Sequence, residues 1–187
     1  MQALVKSIKE GQRGFTLVEI ITVVAIVAIL AAIGTTTLLN HLPNMRLKSA
    51  TRDIYSVMMR AKTEAIRLGE NVTVLFNSPG DSFIMYLDRQ PAPAGATAND
   101  DNNAVDLGET ILLAATQLPS RVSYDPVVVG ADGLADGVRF ANNSLVFSMR
   151  GVPLGLGTVG LHATDSLGNT IRQRTVDVSI AGRINIQ

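Results

Sequence analysis

The chain of 187 residues is 47% hydrophobic and 17% charged, and its 16 basic side chains balance its 16 acidic ones to a formal net charge of zero. Such a balance gives no bulk attraction to nucleic acid, and 4% aromatic content without tryptophan leaves no stacking platform for single strands. The absence of cysteine excludes disulfides, thiolate metal sites and cysteine nucleophiles.

Residues 1–14, MQALVKSIKEGQRG, form a polar leader in which Lys6, Lys9 and Arg13 outweigh Glu10, so the side chains that follow are net acidic. Positive charge on this flank predicts a leader held in the cytoplasm and a C-terminal part sent across the membrane. From Phe15 to Ile33 the sequence FTLVEIITVVAIVAILAAI is apolar apart from two threonines and Glu19. As a helix rising about 1.5 Å per residue it approaches the thickness of a bilayer core, so residues 15–39 read as a membrane-spanning helix. Glu19 is the oddity. A carboxylate within a membrane segment is costly unless neutralised or paired, which marks it as functional. An alternative is an ordinary secretory signal, with Ala32-Ile33-Gly34 as a weak small-x-small cleavage site.

The stretch Arg13-Gly14-Phe15-Thr16-Leu17-Val18-Glu19 resembles the processing site of type IV prepilins and pseudopilins. It combines a basic leader ending in glycine, a phenylalanine, a glutamate at the fifth mature position and an apolar helix beyond. The resemblance implies cleavage between Gly14 and Phe15 by a membrane-embedded prepilin peptidase, followed by N-methylation of Phe15. It also implies assembly through Glu19, whose carboxylate meets the N-terminal amine of a neighbouring subunit in a helical filament. Physically, a cationic amine at Phe15 and an acid in an apolar setting relieve one another. The competing reading has Glu19 snorkel to the interface as a topology marker, a role that needs no carboxylate at this spacing.

Gly34 and the threonines at 35–37 weaken helix propensity without ending the helix, whereas Pro43 is expected to kink or break it. His41 reads as an interfacial polar residue rather than a ligand. Residues 40–69 continue as an amphipathic helix. Leu47, Ala50, Ile54, Val57, Met58, Ala61, Ala65 and Leu68 recur every three or four residues, opposite Arg46, Lys48, Arg52, Arg60, Lys62, Glu64 and Arg67. Gly69 is the stop signal.

Beyond Gly69 the pattern becomes that of strands, and residues 70–187 are expected to form a periplasmic β-rich head. Asn71–Asn77 and Ser82–Asp88 read as a hairpin about the turn 78–81, and Thr110–Gln117 as a buried strand. Residues 121–129 are β-branched around Asp125-Pro126. Val138–Ala141 and 144–149 read as short strands about an Asn142-Asn143 turn. Strands follow near 159–163 and 171–180, with a bulge or change of partner near Arg174, where the alternation changes parity. Ile184 and Ile186 are spaced to pack on one face. The polar loop 90–109 holds Asp100, Asp101, Asp106 and Glu109, candidate calcium ligands that lack regular Asp-x-Asx spacing. A solvated loop of turn-forming residues is the preferred reading, and no metal or other cofactor is expected.

Phe147-Ser148-Met149-Arg150-Gly151, a glycine-rich stretch, an Asp165 turn, the 171–180 strand and the closing Gly182-Arg183-Ile184 are similar to the GspH/FimT class of pseudopilins and minor pilins. That class implies an α+β fold: a long N-terminal α-helix, transmembrane in its first half and amphipathic in its second, packed against a head of antiparallel β-sheets. It implies a structural minor pilin or pseudopilin subunit of a type II secretion pseudopilus or a type IV pilus, held in the inner membrane before assembly. The implied partners are prepilin peptidase, other pilins or pseudopilins, an inner membrane assembly platform and membrane lipid. Some FimT-like proteins are thought to capture DNA through a C-terminal Gly-Arg-x-Arg motif. Here Gly182-Arg183-Ile184-Asn185 lacks the second arginine, which leaves Arg172, Arg174 and Arg183 as candidate phosphate contacts and nucleic acid as a disfavoured partner. An anchored enzyme is the weakest reading. His41 and His162 lie far apart in sequence, and no nucleophile constellation or nucleotide-binding glycine motif is evident.

Overall fold

One helix carries two different surfaces. In the computed structural model, which describes residues 14–88, 109–130, 133, 135–165 and 167–187 (with the side chains of 34–40 and 88 left aside), helix α1 spans Leu17–Leu68. The chain divides into two units, Met1–Leu39 and Asn40–Gln187.

In the first unit every described side chain from Gly14 to Ile33 is exposed, among them Leu17 at 74% and Ile33 at 63%. Among the described residues no helix is long and apolar enough to cross a membrane. The described apolar side chains end at Ile33, while the helical backbone continues through Gly34 and the three threonines. The expected break at Pro43 does not occur: α1 runs through it. A proline withholds one N–H from the helix, and the bonds on either side remain to hold it.

In the second unit the stripe on α1 becomes a core face. Leu47, Ala50, Ile54, Met58, Ala61 and Ala65 are fully buried, and Val57 and Leu68 pack half-buried at its margin. Gly69, at φ +68°, ends the helix, and its N–H bonds the carbonyl of Ala65 at 3.0 Å. Against this face stand two four-stranded antiparallel sheets. The first has the order β3-β2-β1-β5, from β1 (Asn71–Asn77), β2 (Ser82–Asp88), β3 (Thr110–Gln117) and β5 (Ser144–Phe147). The second has the order β4-β6-β7-β8, from β4 (Val122–Tyr124), β6 (Gly157–Thr164), β7 (Thr170–Val178) and β8 (Ile184–Ile186). Helix and sheets share one hydrophobic cluster, in which Phe76 stacks on Phe140 at 5.9 Å and meets Tyr124 edge-on at 6.4 Å.

A polar clasp ties the sheets. Asp81, in the β1–β2 turn, accepts the Tyr124 backbone N–H at 3.2 Å and the Ser123 hydroxyl at 2.9 Å. The buried Tyr124 hydroxyl donates to the Ser82 carbonyl at 2.9 Å. Burial, and secondarily the Asp81 carboxylate, push the Tyr124 phenol well above its ordinary range. Nearby, Gly137 adopts φ +85° where an added Cβ would stand 2.6 Å from the Asp125 backbone nitrogen, so that corner requires glycine.

The hairpin 71–88 forms as its sequence predicts, with Asn71 opposite Asp88 and Asn77 opposite Ser82. Four expectations need correction. Thr110–Gln117 is a strand but not a buried one: it occupies the edge of its sheet, with most of its residues exposed. Residues 138–141 make no strand. Val138 forms an isolated bridge to Val159, and Asn142 and Asn143, at φ +53° and +52°, wind the chain into a 3-10 turn. The bulge lies at Ile171 rather than near Arg174, since the β6–β7 register passes from Ala163–Arg172 to Thr164–Thr170. Of the two C-terminal isoleucines Ile184 is buried, while Ile186, at the outer strand, is 37% exposed. Asp100, Asp101 and Asp106 lie outside the described residues, and no group of three potential metal ligands occurs among the described ones.

Two outcomes follow from this core. Ile54→Ala should cost about 2–5 kcal/mol in denaturant unfolding, against less than about 1 kcal/mol for the partly exposed Met59→Ala. The raised Tyr124 phenol keeps its proton in the folded state while the unfolded chain releases it near pH 10, so its contribution is full below that pH and declines as pH rises above it. Stability measured across alkaline pH should therefore fall less steeply in Tyr124→Phe.

Candidate assembly site at the start of helix α1

Thr16 is the N-cap of α1. Its carbonyl accepts the Ile20 N–H at 3.3 Å, and its hydroxyl accepts the Glu19 backbone N–H at 3.2 Å. Thr16-x-x-Glu19 is thus half of a capping box, with the carboxylate in the first helical turn, where the helix dipole favours negative charge. Pairing and snorkelling concern the Glu19 carboxylate alone, and neither points to Thr16. A threonine three residues before a glutamate, ahead of an apolar run, was the available signal.

Further along, the Thr22 hydroxyl donates to the Val18 carbonyl at 2.8 Å, so this polar group is satisfied within the helix and suits apolar surroundings. The Glu19 carboxylate is therefore the one polar side-chain group of residues 17–33 with no partner among the described residues. It is exposed, on a helix whose neighbouring side chains are aliphatic. Phe15 and Gly14 precede the helix and are exposed. Nothing lies within 4 Å of where a Cβ on Gly14 would stand, so packing does not demand glycine there.

The three arginines weighed as phosphate contacts do not converge. Arg172 is exposed near the start of β7, whereas Arg183 is exposed in the turn beyond its end, roughly 20 Å away at about 3.3 Å per residue. Arg174 lies half-buried between them, opposite Leu161. Gly182, beside Arg183, instead contacts α1 through its carbonyl. Lys62 Nζ donates to the Gly182 carbonyl at 2.9 Å, and at Gly182, with φ +67°, an added Cβ would stand 3.2 Å from Gly151 and Pro153. His162 sits on β6 opposite Ser123 and Gln173, with Nδ1 buried and unpartnered. His41 is exposed.

The family profile described as Type II transport protein GspH matches residues 50–182, and that of the prokaryotic N-terminal methylation motif matches residues 10–35. No curated protein matches the chain. Among solved structures, the minor pseudopilin EpsH from the type 2 secretion system of Vibrio cholerae is 12% identical with a TM-score of 0.49, covering 76% of this chain and 96% of its own. The type IV minor pilin FimU of Pseudomonas aeruginosa is 13% identical with a TM-score of 0.45, covering 77% of this chain and 90% of its own.

Loss of the cap should be visible locally. Thr16→Ala should cost about 1 kcal/mol at the first turn, read as faster hydrogen exchange of the Leu17–Ile20 amides in micelles, and Thr16→Ser should restore protection.

Proposed function

The chain belongs to the GspH family of type II transport proteins, and from that premise we propose that it enters its filament through the pairing of Glu19 with the amine of Phe15 on a neighbouring subunit. Members of this family are structural pseudopilins rather than enzymes, and the methylation motif at residues 10–35 implies prepilin peptidase processing, inner membrane anchoring through the N-terminal helix and assembly with other pseudopilins.

The observation that carries the pairing is the Glu19 carboxylate, unpartnered among the described residues on an exposed aliphatic helix. The cap satisfies only the backbone N–H of Glu19, and the helix dipole favours the charge without pairing it. In a lipid or filament core that partial compensation is insufficient, and a counter-ion is needed. Cleavage after Gly14 creates one at Phe15. Packing does not require glycine at position 14, which leaves that position free to meet the demand of the peptidase that cuts there. In the same reading residues 1–14 are the cytoplasmic leader, 15–39 the membrane span, 40–69 the amphipathic extension of the helix and 70–187 the periplasmic head. Membrane lipid and an inner membrane assembly platform are then its partners before polymerisation.

Glu19→Gln should leave membrane insertion and cleavage intact and reduce recovery in sheared filaments by tenfold or more, about 1.4 kcal/mol or above of lost pairing. Filament entry equal to that of the unaltered chain would remove the pairing from the account.

A further inference from the structure

Of the basic residues on α1 between positions 40 and 69, four have acceptors. Arg46 donates to Ser120, Arg60 to the Leu112 carbonyl, Lys62 to the Gly182 carbonyl, and Arg67 pairs with Glu64. Lys48 and Arg52 have no acceptor among the described residues. They stand four residues apart on one face, a spacing at which like charges repel. Arg174 of β7, which also lines the cleft, is half-buried and has no ion pair or hydrogen bond among the described residues. These three cations, with Thr51 and Ile186, line a single cleft of about 250 Å³.

The chemistry of the lining is one-sided. The Thr51 hydroxyl spends its hydrogen on the Leu47 carbonyl at 2.7 Å, so it forms a neutral wall. Ile186, 37% exposed, adds one apolar side. No carboxylate lines the cleft. Two cationic residues of the helix and one of the sheet therefore line the same space, and the chemistry that complements such a lining is an oxyanion.

We infer that this cleft receives a carboxylate-bearing segment of the neighbouring filament subunit, an inference that rests on the filament role proposed above. A carboxylate on a polypeptide fits better than a nucleic acid. The cations are grouped at one cleft rather than in a row that tracks a phosphate backbone, Arg172 and Arg183 lie outside it, and no aromatic side chain is among its described lining residues for base stacking. The net acidic character of the chain beyond its leader opposes a long polyanion while permitting a local contact.

The test is binding of a fluorescent hexaglutamate peptide to the full chain in neutral detergent, over a salt series. The inference expects binding that weakens steeply with salt and falls about tenfold or more in Arg174→Gln and in Arg52→Gln, with Arg172→Gln unchanged and thermal unfolding preserved. Should Arg174→Gln unfold the head, Arg52→Gln, on the exposed helix face, gives the same reading. No binding, equal losses in Arg172→Gln and the cleft variants, or a single-stranded oligonucleotide that displaces the peptide and depends equally on Arg174 would each overturn it. Because the peptide requires no filament, its failure would remove the cleft while leaving the filament role, tested through Glu19, standing.

Discussion

The structure depends on one carboxylate that its own helix satisfies only in part. Glu19 sits in the first turn of α1, its backbone N–H capped by Thr16 and its side chain left among exposed aliphatic residues. The helix dipole contributes about 0.3–1 kcal/mol to the carboxylate at an exposed N-terminus and the cap acts only on the backbone N–H, which is small beside the cost of an unpaired charge in hydrocarbon. An isolated subunit is thus electrostatically unfinished, and what completes it must come from outside the chain. A new amino terminus at Phe15 on a neighbour has the right charge at the right depth.

The rest of α1 solves a different problem. From Leu47 to Ala65 its small and medium side chains give a narrow stripe that lets two sheets approach closely, and the opposite charged face is tied down by Arg46, Arg60 and Lys62 through backbone or hydroxyl acceptors. Hydrogen bonds to neutral acceptors hold these cations in place without a buried ion pair and its desolvation cost. The Asp81 clasp and the Tyr124 hydroxyl then join one sheet to the other. Gly182, brought to Lys62 by its left-handed backbone, fastens the C-terminal strands to the same helix. Gly182 is therefore explained by packing before any ligand is invoked, while Arg183 remains exposed.

The parts legible in the sequence were those set by local pattern. The helical stripe, the 71–88 hairpin, its SPGD turn and strands β6 to β8 all follow from periodicity and turn chemistry, and the prepilin-like junction at Gly14-Phe15 from a motif. What failed was set by tertiary position. TILLAATQ has the composition of a buried strand, but it lies at a sheet edge, and no local feature says how many neighbours a strand will have. The segment at 138–141 was misread because two consecutive asparagines in left-handed conformation curl the chain instead of returning it as a hairpin. At Pro43 the helix is not broken, because one missing N–H leaves the bonds on either side in place. At the site, Glu19 was visible as an anomaly, yet its cap went unseen, and the cleft of Lys48, Arg52 and Arg174 joins residues more than a hundred positions apart.

The account turns on a fresh amino end being made beside Glu19, so the mass of the chain recovered from its native membrane tests it most directly. It predicts a polypeptide that begins at Phe15, lacks the fourteen leader residues and carries one additional methyl group at its terminus. A chain still beginning at Met1, or one trimmed near Gly34, would contradict it.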